Sequence, residues 1–324
     1  MSEPVESRAS RVESQGQPPA AGSKPSPLDA RPSTRAWRRF RRNTPAVISL
    51  WFLVVLLLFV LAWPLLSPYP ANTITDEQFQ PPSLKHWFGT DVHGRDLLSR
   101  AFFGARISLL VGAVGAGVAF VIGVTWGAVS GYVGGRLDGM MMRFVDVLYC
   151  MPSIIFVIVL VTMCGEGLKI WLGGRVSSGF ARMLLLFIGL GAISWLTMAR
   201  IVRGQVLSLR TRAFVEASRS LGANHARIVL RHILPNTWGI VIVYLTLTVP
   251  SIILYESFLS YLGLGIEPPM ASWGSLVGEG AAQINPVHIY WWLVVFPSTL
   301  LVTTLLALNF LGDGLRDAWD PRAS

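Results

Sequence analysis

FVEASRSLGANHARIVLRHILP, residues 214–235, is a basic stretch lying between two long apolar segments. Phe214, Ala217, Ser218 and Leu221 fall at i, i+3, i+4 and i+7, so the spacing predicts a helix with these four on one face. Gly222 can adopt a left-handed backbone and end that helix. Asn224 is a cap residue for a second one, and Pro235 opens the next segment. Two short helices with a bend, carried on the water-side end of a membrane bundle, suit docking to another protein. The competing reading is an ordinary basic cytoplasmic loop.

Composition supplies the bundle. Of 324 residues, 52% are hydrophobic and 14% charged. That is too apolar for one soluble core, and the long uncharged runs mark an integral membrane protein. The formal charge of +9 does not point to nucleic acid. Its positive residues cluster beside apolar runs, which is how membrane proteins set orientation. Cys150 and Cys164, on one helix, would stand about 21 Å apart. They predict neither a disulfide framework nor a cysteine metal site.

Residues 1–34 are rich in Ser, Pro, Gly, Ala and Glu without apolar periodicity, which predicts a disordered tail. Arg35, Arg38, Arg39, Arg41 and Arg42 follow, so residues 1–42 read as a disordered basic tail. The next apolar run reads better as a retained first helix than as a cleaved signal, because it is too long, lacks a clean small-residue cleavage site and is followed by more apolar spans. Six spans are expected: 45–66, 107–131, 147–163, 183–199, 238–262 and 288–311. Gly123, Gly127 and Gly131 in the second admit a closely packed neighbour. Residues 43–105 thus hold the first span and an extracytoplasmic connection. A Gly-rich polar loop is expected over 165–182, and another loop over 263–286.

Six crossings put both termini on one side. Twenty of the 27 Lys and Arg residues then fall on the side of the termini and of the 214–235 stretch. That asymmetry places this side in the cytoplasm.

No phosphate-binding loop of the Gly-x-x-x-x-Gly-Lys-Ser/Thr type is present, so any use of ATP needs a partner. The five histidines sit at non-metal spacings, and no nucleophile motif appears. The chain reads as non-catalytic, with no metal site and no cofactor of its own. Glu256 is the one acidic residue well inside an apolar span. It is a candidate pathway or substrate contact, set against a structural residue bonded to a neighbouring helix. Asp91, Arg95 and Asp96 could pair on a helical surface, and the expectation is a solvated outer helix.

The organising stretch resembles the EAA loop of ABC importer permeases: Glu-Ala-Ala, three residues, Gly, nine residues, Ile-x-Leu-Pro. Glu216, Ala217, Gly222, Leu234 and Pro235 match in register. Ser218 replaces the second Ala, and His232 sits where Ile is usual, with Ile233 one place late. HILPN (232–236) is similar to the peptide branch of that family. WFGTD (87–91), GRDLLSR (94–100), GARISL (104–109), SFLSYLGLG (257–265), Trp273-Gly274, NFLGDGLRD (309–317) and Asp320-Pro321 resemble dipeptide and oligopeptide permeases too. Together they cover most of the chain from Trp87 to Arg322, and look most like the C-type permease subunit of bacterial oligopeptide importers.

The resemblance implies an all-α membrane protein of six transmembrane helices. Its type I importer core, MetI-like, would run over 106–317, with 318–324 a cytoplasmic C-terminus. It implies residence in the bacterial inner membrane, a homologous B-type permease partner, two ATPase subunits below, and an extracytoplasmic peptide-binding protein above. ATP and Mg would be bound by the ATPase subunits, which Phe214, Glu216, Ala217, Ser218, Leu221, Gly222, Leu234 and Pro235 would contact as a coupling loop. Same-branch importers of nickel, glutathione or antimicrobial peptides are the near alternative. An ion-coupled secondary carrier is the distant one, and a single intramembrane acid counts against it.

Overall fold

A computed structural model describes residues 32–171, 178–266 and 268–319, all helices and connections. The expected tail over 1–31 lies outside the described residues. Helix α1, Pro32–Arg42, replaces the last part of that tail. Its Phe40 is buried with Ala46 and Ala318, so an apolar anchor fixes what charge alone would leave solvated. Asn43 then caps α2, Thr44–Leu66, by accepting the Ala46 N–H.

Helix α3, Leu97–Val133, starts ten residues earlier than expected. The cause is Asp96, whose carboxylate accepts the Ser99 N–H at 2.9 Å and sets the N-cap. The third span is broken. Helix α4, Gly135–Tyr149, and helix α5, Ser153–Trp171, meet at 82°. Pro152 has no N–H to donate, and it disfavours helical backbone at the residue before it. Helix α5 then runs well into the expected polar loop, and helix α6, Ser178–Leu209, begins inside it. Residues 172–177 lie outside the described residues. Five described helices are long and apolar enough to cross a membrane, and the bent α4–α5 pair makes a sixth candidate.

Helices α7, Ala213–Ser220, and α8, His225–Ile228, form the bent projection. The fifth span does not begin at Trp238. From α8 the chain passes through one π-helical turn, Val229–Ile233, straight into α9, Leu234–Tyr261. Pro235 explains the turn. It cannot donate to the carbonyl one turn back, while the Leu234 N–H reaches Val229 O, five residues back. The Asn236 side chain donates to His232 O at 2.6 Å. Helix α10, Trp273–Ala282, lies where a plain loop was expected, started by a Ser272–Ser275 capping box. Helix α11, Trp292–Trp319, completes the fold.

Small residues set the packing. A Cβ on Gly127 would lie 2.5 Å from the Ala199 carbonyl oxygen, and one on Gly123 2.6 Å from the Met198 Cβ. The glycine row of α3 therefore lets α6 lie against it backbone to backbone. On another side of α3, Gly112 and Gly115 face Ile253 and Ile252 of α9.

Candidate functional site

The projection is anchored from within by three fully buried residues, Val215, Ile228 and Ile233. They pack in one apolar cluster with Met198, Val202 and Val206 of α6 and Ala128 of α3. The other face of α7 is free. Phe214, Glu216 and Ala217 are exposed, Ser218 is half-buried, and Leu221 is 88% exposed. Of the four residues expected on one face, Phe214, Ala217 and Leu221 are exposed, and Ser218 is turned partly toward the anchored side.

Gly222 ends α7 with φ +79°. Its N–H bonds Arg219 O at 3.0 Å and the Ala223 N–H bonds Ser218 O at 3.1 Å, the pair of bonds of a Schellman motif. Asn224 accepts the Arg227 N–H at 2.8 Å and starts α8. Leu234 and Pro235 form the first turn of α9, where Leu234 packs against the projection's buried cluster and Pro235 is exposed.

Polar contacts fix the base. The Arg203 guanidinium of α6 makes two bonds to Asp138 of α4, at 2.5 and 2.6 Å, and Ser130 of α3 donates to the same carboxylate. Arg210 donates to Gly131 O at 3.2 Å, and Tyr132 Oη meets His225 Nδ1 at 2.8 Å. Arg200 pairs with Asp146 at 2.6 Å and lies 3.9 Å above the Tyr149 ring. Sequence reasoning passed over this set. Asp138 and Asp146 stand eight apart on one side of α4, and Arg200 and Arg203 three apart on α6. That helical spacing was the available signal.

The opposite end of the bundle is closed by charge. Asp91, Arg95, Asp96 and Arg100 are all buried, not solvated on an outer helix. Asp91 and Arg95 lie in the connection before α3. Asp91 accepts from Arg95 Nε and Arg100 Nη1, both at 2.7 Å, and Arg100 continues to Glu279 of α10 at 2.5 and 3.0 Å. Asp96 also meets His86 Nδ1 at 2.9 Å. A loop that folds back over α10 withdraws these groups from water. Farther out, Lys85 donates to Glu77 and holds its carboxyl below the usual range.

Glu256 is fully enclosed. Its carboxylate accepts from Ser260 at 2.7 Å, Ser108 of α3 at 3.1 Å and Ser257 at 3.4 Å. Ser108 in turn accepts the Trp273 N–H, and Ser260 the Ile266 N–H. The carboxylate thus ties α3 and α9 to the segment leading into α10. Among the described residues no group of three or more His, Cys, Asp or Glu is placed to hold a metal ion.

Residues 123–324 match the family described as "Binding-protein-dependent transport system inner membrane component". Residues 32–82 match "N-terminal TM domain of oligopeptide transport permease C". The chain belongs to this family of permeases. It is 47% identical over 290 residues to the oligopeptide transport system permease protein OppC of Haemophilus influenzae, covering 89% of this chain and 88% of that one. It is 45% identical to the dipeptide transport system permease protein DppC of Bacillus subtilis, over 89% and 85% of the two chains. The inward-facing MetNI methionine ABC transporter contains a chain with the same fold. Its native crystal form gives a TM-score of 0.51 at 22% identity, over 68% of this permease and 97% of that chain. The permease is therefore a multi-pass membrane protein with the type I importer fold.

Proposed function

We propose that this permease is the C-type membrane subunit of an ATP-driven peptide importer. Its α7–α8 projection docks into an ATPase subunit. One observation carries the docking: Leu221 stands 88% exposed at the tip of a helix that is anchored through Val215. Burying a leucine in a partner's groove contributes about 1.5–3 kcal/mol. The peptide cargo rests on the oligopeptide and dipeptide relatives, which span most of the chain.

In this reading ATP and Mg bind the two ATPase subunits, and this chain is non-catalytic. Closure of the ATPase pair pushes on α7 and α8. The continuous helix from His225 to Tyr261 carries that push toward the far end. A homologous B-type permease completes the pathway, and an extracytoplasmic binding protein delivers the peptide. Nucleotide shifts the access equilibrium only by binding its two states unequally. Both termini lie in the cytoplasm.

Two experiments test this. Cysteines at Ser218 or Leu221 should cross-link to an ATPase subunit in the assembled complex, in a yield that changes with nucleotide. Absence of cross-linking at both removes the docking role. Alkaline phosphatase fused after Gln78 or Gln283 should be active and after Arg212 inactive. Activity at Arg212 overturns the orientation.

A further inference from the structure

At the end of the bundle away from the projection, α2 contains Pro64, which cannot donate to the carbonyl of Val60. Arg106 of α3 fills that gap. Its Nε donates to Val60 O at 2.7 Å and its Nη2 to Leu61 O at 2.9 Å. Both acceptors are neutral. Among the described residues Arg106 has no carboxylate partner, and its Nη1 has no acceptor.

This guanidinium lines a cleft of about 320 Å³ between α2, α3 and the connection, with Trp63, Ser67, Tyr69, Asn72 and Phe102. No acidic residue lines it. Beside it, α2 exposes Leu57, Leu58, Phe59 and Leu61, the side chains of a lipid-facing surface. Trp63 and Tyr69 are of the type that marks the head-group level of a bilayer.

We infer that this cleft binds the phosphate diester of a phospholipid head group, in the leaflet away from the coupling projection. A half-buried cation without a counter-charge is costly near a bilayer. A guanidinium with donors to spare matches phosphate oxygens in geometry and charge. The cleft has room for the head group, and the apolar flank of α2 provides a track for the acyl chains. A free phosphate shares the head-group chemistry but not the track.

The test uses the whole importer complex, reconstituted into vesicles of phosphatidylethanolamine and phosphatidylglycerol and then extracted into detergent. Native mass spectrometry counts the phospholipid retained. Arg106→Gln should weaken retention about tenfold or more, the loss of a hydrogen bond to a charged group. Because Arg106→Gln also uncaps α2, Ala71→Trp is the second variant. It fills the cleft and leaves the Arg106 bonds in place, and it should lower retention similarly in an intact complex. Equal retention by wild type and Ala71→Trp overturns the inference. Displacement of the retained lipid by inorganic phosphate in the buffer assigns the site to a free anion and overturns the lipid. In vesicles of a glucosyl diacylglycerol without phosphate, the two variants should match wild type. A difference there makes the cleft an acyl-chain site and overturns the phosphate.

Discussion

The two ends of this permease are built around different side chains. At the α10 end, one cluster of charged groups is withdrawn from water and paired inside the chain. Arg100 is 1% exposed and bonded to both Asp91 and Glu279, and Glu256 is enclosed by serines. At the α7–α8 end, apolar groups are left in water. Leu221 and Phe214 project from a helix with only one anchored face. Buried polar groups with partners are architecture. Exposed apolar groups on a rigid mount are the kind of surface that a partner can cover. One helical run, His225–Tyr261, connects the two.

The largest test of that contrast is Asp91→Ala. The carboxylate accepts from two guanidiniums and from the N–H groups of His93 and Arg95. Its removal leaves Arg95 and Arg100 buried with Glu279 alone. Breaking such a pair costs about 3–5 kcal/mol. Denaturant unfolding of the purified permease pair should show this loss. A stability within error of wild type would break the comparison, because the α10 end would then not depend on its charges.

Glu256→Gln sharpens it. The amide keeps one acceptor oxygen and faces serine hydroxyls that can turn to accept. The expected cost is about 1–3 kcal/mol, the scale of one buried group left poorly paired. Uptake should fall only with the amount of assembled complex. A fall in uptake per complex, across several peptides, would give Glu256 the pathway role instead.

Gly222→Val should separate stability from function. A Cβ at Gly222 meets nothing within 4 Å, so the cost lies in the backbone alone. A left-handed residue with a Cβ costs about 1–2 kcal/mol, borne by a short exposed turn. Membrane insertion and pairing should survive, while ATP-driven uptake and peptide-stimulated ATPase activity fall sharply. Gly222→Asn should be milder, since Asn tolerates this region. Normal transport by the valine variant would remove α7 as the coupling element.

The same contrast governs what the sequence made legible. The projection could be read in advance because its signals are local. Gly222 and Asn224 act within a turn, and four residues at helical spacing define a face. The α10 end could not. Asp91 meets Arg100 only because the connection folds back, and Glu279 joins from 179 residues beyond Arg100. A local reading made Asp91 and Arg95 solvated, the ordinary fate of such residues. The broken third span was not legible: 147–163 reads as one apolar run, and Pro152 within it breaks the helix. Two local signals were overlooked, Asp96 as the cap of α3 and Ser272 as the start of α10.

The smallest effect is expected at Glu216, where the comparison is most exposed to failure. Glu216 lies in the first turn of α7, is exposed, and has no hydrogen-bond or ion partner among the described residues. Its contribution to the fold is the interaction of one carboxylate with the helix N-terminus, about 0.3–1 kcal/mol and weakened by salt. If the projection is a contact surface, Glu216 meets its partner at the rim of the Leu221 contact, where a charge mainly adjusts association rate and salt dependence. Glu216→Ala should leave unfolding of the permease pair nearly unchanged. It should lower ATPase-subunit binding modestly at low salt, with the difference shrinking as salt rises. The readout is a binding titration of the ATPase subunits onto the reconstituted permease pair at two salt concentrations. A loss as large as that of Gly222→Val, and independent of salt, would mean that Glu216 is buried in the complex. The docking surface would then centre on the first turn of α7 rather than on Leu221.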